Sequence, residues 1–218
     1  MLNMRTTYGF TDPRLEDAIV DIAASVAEAK RSGYTDLVML SCSLGGPRTT
    51  LYVTHSDEPA VKAVGYINAI PSPYEEAQLR QNAEQRARLD SALADAQHLI
   101  AAGKGEQIVQ FQRWFADGRG LTISARGFVN VYGSPSMTDI SLLKHAPKVK
   151  VPVGIIHGTA DHISLPANAQ TMYDAFVNAP SRELLWLEGG EHYWSPGPQA
   201  NAFGIEVAKW VGKVAATG

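Results

Sequence analysis

Four short apolar runs punctuate the chain: Leu37 to Cys42 (LVMLSC), Val61 to Asn68 (VKAVGYIN), Val151 to His157 (VPVGIIH) and Glu183 to Leu187 (ELLWL). Each is rich in β-branched or large apolar side chains and is followed soon by a Gly, Pro or Asn cluster. A strand buried on both faces reads as a near-continuous apolar run without strict alternation. Four buried parallel strands are therefore expected. Elsewhere apolar residues recur at helical spacing. Leu15, Ala18, Ile19, Ile22, Val26 and Ala29 form one such stripe, with Asp12-Pro13 as N-cap and first-turn proline. That helix should run to about Arg31 and end at Gly33. Further helices are expected from Leu44, over Leu165 to Val177, and over Gln199 to Ala215. Alternating strand and helix predicts an α/β fold, a mostly parallel sheet with helices on both faces.

Residues 71–149 break the rhythm. Pro71-Ser72-Pro73 opens a polar helical stretch, EEAQLRQNAEQRARLDSALADAQHLIAA, closed by Gly103-Lys104-Gly105. Shorter helical pieces are expected at Glu106 to Ala116, Ile123 to Tyr132 and Thr138 to His145. No strand-like run bounded by turns stands out, so residues 71–149 read as an all-helical insertion. The core is then residues 1–70 and 150–218.

Composition narrows the picture. The chain has 218 residues, 45% of them apolar and 19% charged, the profile of a folded globular protein with a sizeable core. A net charge of -3 gives no field to gather nucleic acid or an anionic membrane. No apolar stretch is long enough to span a bilayer, and the opening residues MLNMRTTYGFTDPR lack the apolar core of a secretory signal. The single cysteine, Cys42, allows no intrachain disulfide and fits a reducing cytoplasm.

The candidate chemistry lies where the strands end. The first run closes on Ser41-Cys42-Ser43-Leu44-Gly45-Gly46 and a helix follows at once. A sharp turn there would lift the Ser43 hydroxyl clear of the backbone. The Leu44 N–H, at the helix N-terminus, would point where an oxyanion forms. A hydroxyl needs a neighbouring base to become nucleophilic. His192, in Glu188-Gly189-Gly190-Glu191-His192-Tyr193-Trp194, follows the last strand, and Asp161, in His157-Gly158-Thr159-Ala160-Asp161-His162, follows the third. In a parallel sheet these loops emerge along one edge, where open α/β folds bind ligands.

The order Ser, Asp, His on strand–turn–helix, strand–loop and strand–loop resembles the α/β-hydrolase family. VPVGIIHGTADHISLP resembles that family's acid-bearing segment and WLEGGEHYW its histidine loop, and the likeness runs from about Leu2 to Val211. The resemblance implies that the insertion is a cap shaping the substrate pocket. It also implies that Ser43 attacks a carbonyl carbon, His192 is the base, Asp161 orients it, and an acyl-enzyme is hydrolysed by water. No cofactor or metal would be needed. The implied substrate is a small or medium, mainly apolar carboxylic ester. Amides or peptides under the same triad are the alternative, as is a catalytically weak hydrolase-like binding protein.

Two departures from the family are visible. Its usual motif is G-x-S-x-G, whereas Ser41 stands two before Ser43. Leu2-Asn3-Met4-Arg5, followed by Gly9-Phe10-Thr11, resembles the family's fourth strand and its loop. The first three strands and the loop giving a second oxyanion N–H would then be missing. Tyr8, Gly9 or a neighbouring subunit could supply that donor. Without the family's third strand, the run Leu37 to Cys42 would present an open edge, which invites pairing with another chain. A homo-oligomer, in the simplest case a dimer, is the expectation.

Other residues carry blander readings. Ser43 could be a turn serine, Asp161 a loop acid capping the next helix, and His192 a structural histidine. Glu75 or Glu76 could instead orient the base. His157, Asp161 and His162 suggest a metal site only superficially, because His157 should end a buried strand and His162 should lie near solvent. Cys42 should pack into the core. His55, His98 and His145 read as surface or cap residues. Some of Phe111, Trp114, Phe115, Phe128, Tyr132, Tyr193 and Trp194 should line a pocket, and the sequence does not assign which.

Overall fold

The computed structural model describes residues 14–111, 121–192 and 198–216. The expected N-cap Asp12-Pro13, the segment Leu2 to Thr11, the aromatics Trp114 and Phe115, and Tyr193 and Trp194 lie outside them. The chain divides into two compact units, Met1–Ser25 with Ser72–Ser141, and Val26–Pro71 with Leu142–Gly218.

The second unit holds a four-stranded sheet in the order β1-β2-β5-β6, built from β1 (Leu37–Cys42), β2 (Val61–Ile67), β5 (Val153–Gly158) and β6 (Arg182–Leu187), all pairs parallel. The four apolar runs are these four strands. Helix α1 (Leu15–Arg31) precedes β1 and ends as expected before Gly33, which takes φ +91°. Its buried residues Ala18, Ile22 and Val26 repeat at one-turn spacing, the stripe an amphipathic helix requires. Helix α2 (Gly45–His55) follows β1, α6 (Leu142–His145) precedes β5, α7 (Pro166–Ala175) precedes β6 and α8 (Pro198–Ala215) follows it.

The central strands explain why the sheet is covered on both faces. Register pairs Gly65 of β2 with Gly154 of β5, and the indole of Trp210 from α8 lies over both. A Cβ at Gly154 would come within 2.4 Å of that ring, so only a residue without one leaves the seat open. Beside it, Phe203 of α8 packs on Ile67 and Ile156, with Leu185, Leu187 and Val207 against the cluster. On the other face Tyr66 stacks on Phe176 at 5.1 Å between ring centroids, and its hydroxyl meets Thr50 Oγ1 of α2 at 2.7 Å. β2 and β5 are almost wholly buried, whereas β1 and β6, the outer strands among the described residues, are half-buried.

The other unit departs from the all-helical expectation. The long polar stretch is two helices, α3 (Pro73–Arg80) and α4 (Ala83–Ala101). Asn82 splits them with a capping box, its side chain accepting from the Gln85 N–H while Gln85 accepts from the Asn82 N–H. After α4 come two antiparallel strands, β3 (Ile108–Phe111) and β4 (Leu121–Ser124), with Phe111 opposite Leu121. Ile108, Val109, Thr122 and Ile123 are β-branched, which suits a pleated ribbon better than the helix read there. Helix α5 (Ala125–Tyr132) then begins with Ser124 as its cap, and Phe128 stacks on Phe111 at 4.1 Å. The helix expected over Thr138 to His145 shrinks to the four residues of α6.

Two single-residue expectations are corrected. His145, read as a surface or cap residue, is buried and belongs to the unit that holds the sheet. Cys42 is exposed rather than packed in the core, because Ser41 takes the inward position on β1, its hydroxyl donating to the Gly65 carbonyl at 3.3 Å.

Candidate functional site

β1 ends at Cys42 and α2 begins at Gly45, leaving two residues to reverse the chain. Ser43 absorbs the turn with φ 52°, left-handed backbone that a non-glycine residue adopts only at a cost. Its N–H donates to the Ile67 carbonyl at 3.2 Å, and its carbonyl accepts from the Gly46 N–H at 3.0 Å. Leu44 follows in helical conformation as the N-cap position of α2, where first-turn N–H groups have no intrahelical acceptor. Ser41, standing where a glycine is usual, leaves room at the turn: even a Cβ added at Gly45 would sit 3.5 Å from Ser41 Cβ, an ordinary contact.

The structure brings Ser43, Asp161 and His192 together, although 149 residues separate the first from the last. His192 Nε2 lies 3.0 Å from Ser43 Oγ, and its Nδ1 lies 2.8 Å from Asp161 Oδ2. Asp161 and His192 are buried, while Ser43 is partly open. The other carboxylate oxygen, Oδ1, accepts from the Ile163 and Ser164 N–H groups, both at 2.8 Å. Burial opposes the Asp161 charge, yet the hydrogen bonds from His192, Ile163 and Ser164 outweigh it and hold the carboxyl below the usual aspartate range. An ionised Asp161 can only accept, so the imidazole proton resides on Nδ1. Nε2 is then left to accept the Ser43 hydroxyl proton.

The acid and histidine loops are stitched backbone to backbone. The Thr159 N–H donates to the Leu187 carbonyl at 2.9 Å, the Ala160 N–H to the Gly190 carbonyl at 3.0 Å, and the Gly189 N–H to Thr159 Oγ1 at 2.8 Å. The approach is so close that a Cβ on Gly158 would stand 2.1 Å from the Gly190 oxygen. Gly158→Ala is therefore expected to lower stability by about 1–3 kcal/mol. A drop in the urea midpoint at unchanged slope is the measurement.

The remaining candidates separate cleanly. His157 is buried, its Nε2–H donating to the Ser164 carbonyl at 3.0 Å. Burial pushes its ring below the usual histidine range despite that carbonyl and the Asp161 charge, so it is neutral at neutral pH. Its 3.8 Å approach to Asp161 Oδ2 is accordingly not an ion pair. His162 is exposed, and among the described residues no three His, Cys, Asp or Glu side chains group so as to hold a metal ion. Glu75 accepts from the Ser72 and Ser141 hydroxyls, both at 2.7 Å, which accounts for it without a catalytic part. Cys42 is exposed as a residue at the strand edge. Desolvation of its sulfur, and then the Asp161 charge, push the thiol up to about 11, so it stays protonated beside Ser43. Sequence reasoning missed Asn68, which is fully buried with φ 44°. An asparagine closing a buried strand was its one visible signal.

No family model matches the chain, and no curated protein matches it. Solved structures do. Over 93% of this chain and 76% of its own, the monoacylglycerol lipase of Paleococcus ferrophilus superposes with a TM-score of 0.63 at 16% identity. Est1E from Butyrivibrio proteoclasticus gives 0.60 at 17% identity, over 94% of this chain and 72% of its own. The esterase domain of a Rhodothermus marinus protein gives 0.56 at 17% identity, over 94% and 70%. These are proteins of the α/β-hydrolase fold, and the chain has that fold.

Proposed function

We propose that this chain is a serine hydrolase that cleaves carboxylic esters through Ser43, His192 and Asp161. The observation that carries the reading is the bridging position of His192, hydrogen-bonded at once to Ser43 Oγ and to Asp161 Oδ2. Nε2 takes the Ser43 proton as Oγ attacks the ester carbonyl carbon, and the carbonyl π electrons move onto oxygen. The tetrahedral intermediate then collapses, the C–O bond to the alcohol breaks, and His192 returns the proton to the leaving oxygen. Water, deprotonated by the same nitrogen, attacks the acyl-enzyme and releases the acid with Ser43 restored. Asp161 stabilises the transient imidazolium and holds its tautomer.

The Leu44 N–H is the oxyanion donor in this reading. Esters, with their better leaving groups, should be turned over ahead of amides. Residues 71–149 act as a cap insertion that selects the substrate. The test is hydrolysis of p-nitrophenyl acetate against p-nitroacetanilide. Ester turnover well above amide turnover supports the reading. The reverse order would make the chain an amidase, and turnover of neither would leave a binding protein.

The edge strand adds an expectation about assembly. Among the described residues β1 pairs with β2 alone, and Leu40 on it is 47% exposed. An apolar strand with an open edge favours pairing with another copy, so a homodimer is expected. Light scattering at micromolar concentration should give twice the chain mass, and Leu40→Lys should shift the population to monomer. A wild-type monomer would contradict the assembly.

No helix among the described residues is long and apolar enough to cross a membrane.

A further inference from the structure

Asn68 stands at the point where all three loops of the site meet. It is fully buried, follows directly on β2, and takes φ 44°. Its own N–H donates to the Ile156 carbonyl of β5 at 3.0 Å. In that left-handed turn its side chain meets backbone on both neighbouring loops. Nδ2 donates to the Glu191 carbonyl at 2.8 Å and to the His192 carbonyl at 3.3 Å, while Oδ1 accepts from the Gly158 N–H at 2.9 Å. The residues flanking it reach the remaining parts. The Ile67 carbonyl holds the Ser43 N–H, and the Ile70 N–H donates to the Ser43 carbonyl at 3.4 Å. The Ala69 carbonyl accepts from Ser164 Oγ at 2.7 Å, and Ser164 is one of the two N–H donors to Asp161.

We infer that Asn68 is a positioning residue for the triad, a side-chain amide that fixes the His192 backbone relative to the Asp161 strand. The role requires this residue type. A donor must face two carbonyls and an acceptor must face one N–H, at the reach of a single methylene. Aspartate lacks the donor, leucine lacks both, and glutamine is one methylene too long. Asparagine is also among the few non-glycine residues that accept left-handed backbone. Every group that the amide serves is main chain, so its effect reaches the chemistry through His192 and not through substrate. Loss of the clamp frees the histidine loop to shift while the Ser43 turn stays in place. A displacement of about 1 Å at a reacting group can cost about 10²-fold in rate.

This inference rests on the hydrolase reading, and the experiment keeps the two apart. Asn68→Asp puts a carboxylate oxygen against two carbonyls. Asn68→Gly keeps the left-handed turn and removes all three side-chain bonds. In both, kcat for p-nitrophenyl acetate should fall by about 10–100-fold with KM within about twofold of wild type. The His192 Nδ1 proton, shielded in its bond to Asp161, should exchange with water at least about tenfold faster in both, a loss of protection read by NMR without substrate. Folded variants with wild-type kcat and wild-type exchange would overturn the proposal. So would failure of both variants to fold by circular dichroism, which would assign Asn68 to the fold. If the wild type proves inactive, the hydrolase reading falls, while the exchange measurement still decides whether Asn68 holds His192.

Discussion

Ser43→Ala is expected to lower turnover of p-nitrophenyl acetate by about 10⁵–10⁶-fold, the scale seen when a triad serine is removed. The geometry behind the size is local. Ser43 Oγ is the hydroxyl that meets His192 Nε2, at 3.0 Å, and the neighbouring Cys42 thiol stays protonated with a value pushed up to about 11. The thiol is therefore no substitute nucleophile. The same position separates activity from stability. Ser43 holds φ 52°, and left-handed backbone costs a non-glycine residue about 1–3 kcal/mol. Ser43→Gly should be as inactive as the alanine variant yet more stable than it by about 1 kcal/mol. For a chain of this size that is a rise of roughly 2–4 °C in Tm. A glycine variant that melts below the alanine variant would show that the turn is not strained.

Asp161→Asn should lower kcat by about 10⁴-fold with the fold intact. The loss follows from the two N–H groups of Ile163 and Ser164, which bind Oδ1. They compel the amide oxygen of asparagine to take that place and its NH₂ to face His192 Nδ1. An NH₂ there makes Nδ1 the acceptor, so the ring proton moves to Nε2, which can no longer accept from Ser43. The carboxylate also leaves a mark on stability. Its folded-state value lies below the usual aspartate range, so the unfolded chain binds its proton first as pH falls. The stabilisation is complete above the ordinary aspartate value and is lost as pH falls through the depressed one. Urea midpoints measured from neutral pH into this acid range should decline for the wild type. The asparagine variant should lack that component. Identical pH dependence in the two proteins would contradict the hydrogen bonding assigned to Asp161.

The parts legible in the sequence are those where one requirement dominates. β2 and β5 must be apolar on both faces, so their runs stand out. Each site residue follows a strand that ends in turn-forming residues, and a parallel sheet carries such loops to one edge. β3 and β4 were hidden because each has four residues, too few for alternation to outweigh a helical reading. The break between α3 and α4 did carry a signal, since Asn82 and Gln85 stand at capping-box spacing, but it lay inside a continuous polar helical pattern. The outward turn of Cys42 goes with Ser41 taking the inward position, an alternation that a near-continuous apolar run such as LVMLSC does not reveal. Asn68 was illegible for another reason. Its partners Gly158, Glu191 and His192 lie 90 to 124 residues away, and an asparagine after a strand is otherwise an ordinary turn residue.

The most direct test of the account is covalent capture of the nucleophile. The folded protein is incubated with a fluorophosphonate probe, digested, and the adduct located by mass spectrometry. Ser43→Ala and His192→Ala, the latter with an unchanged circular-dichroism spectrum, serve as the comparisons. The account predicts one adduct, on Ser43 Oγ, absent in Ser43→Ala and formed far more slowly in His192→Ala. A folded wild type that takes no label, or a label that persists in Ser43→Ala, would contradict it.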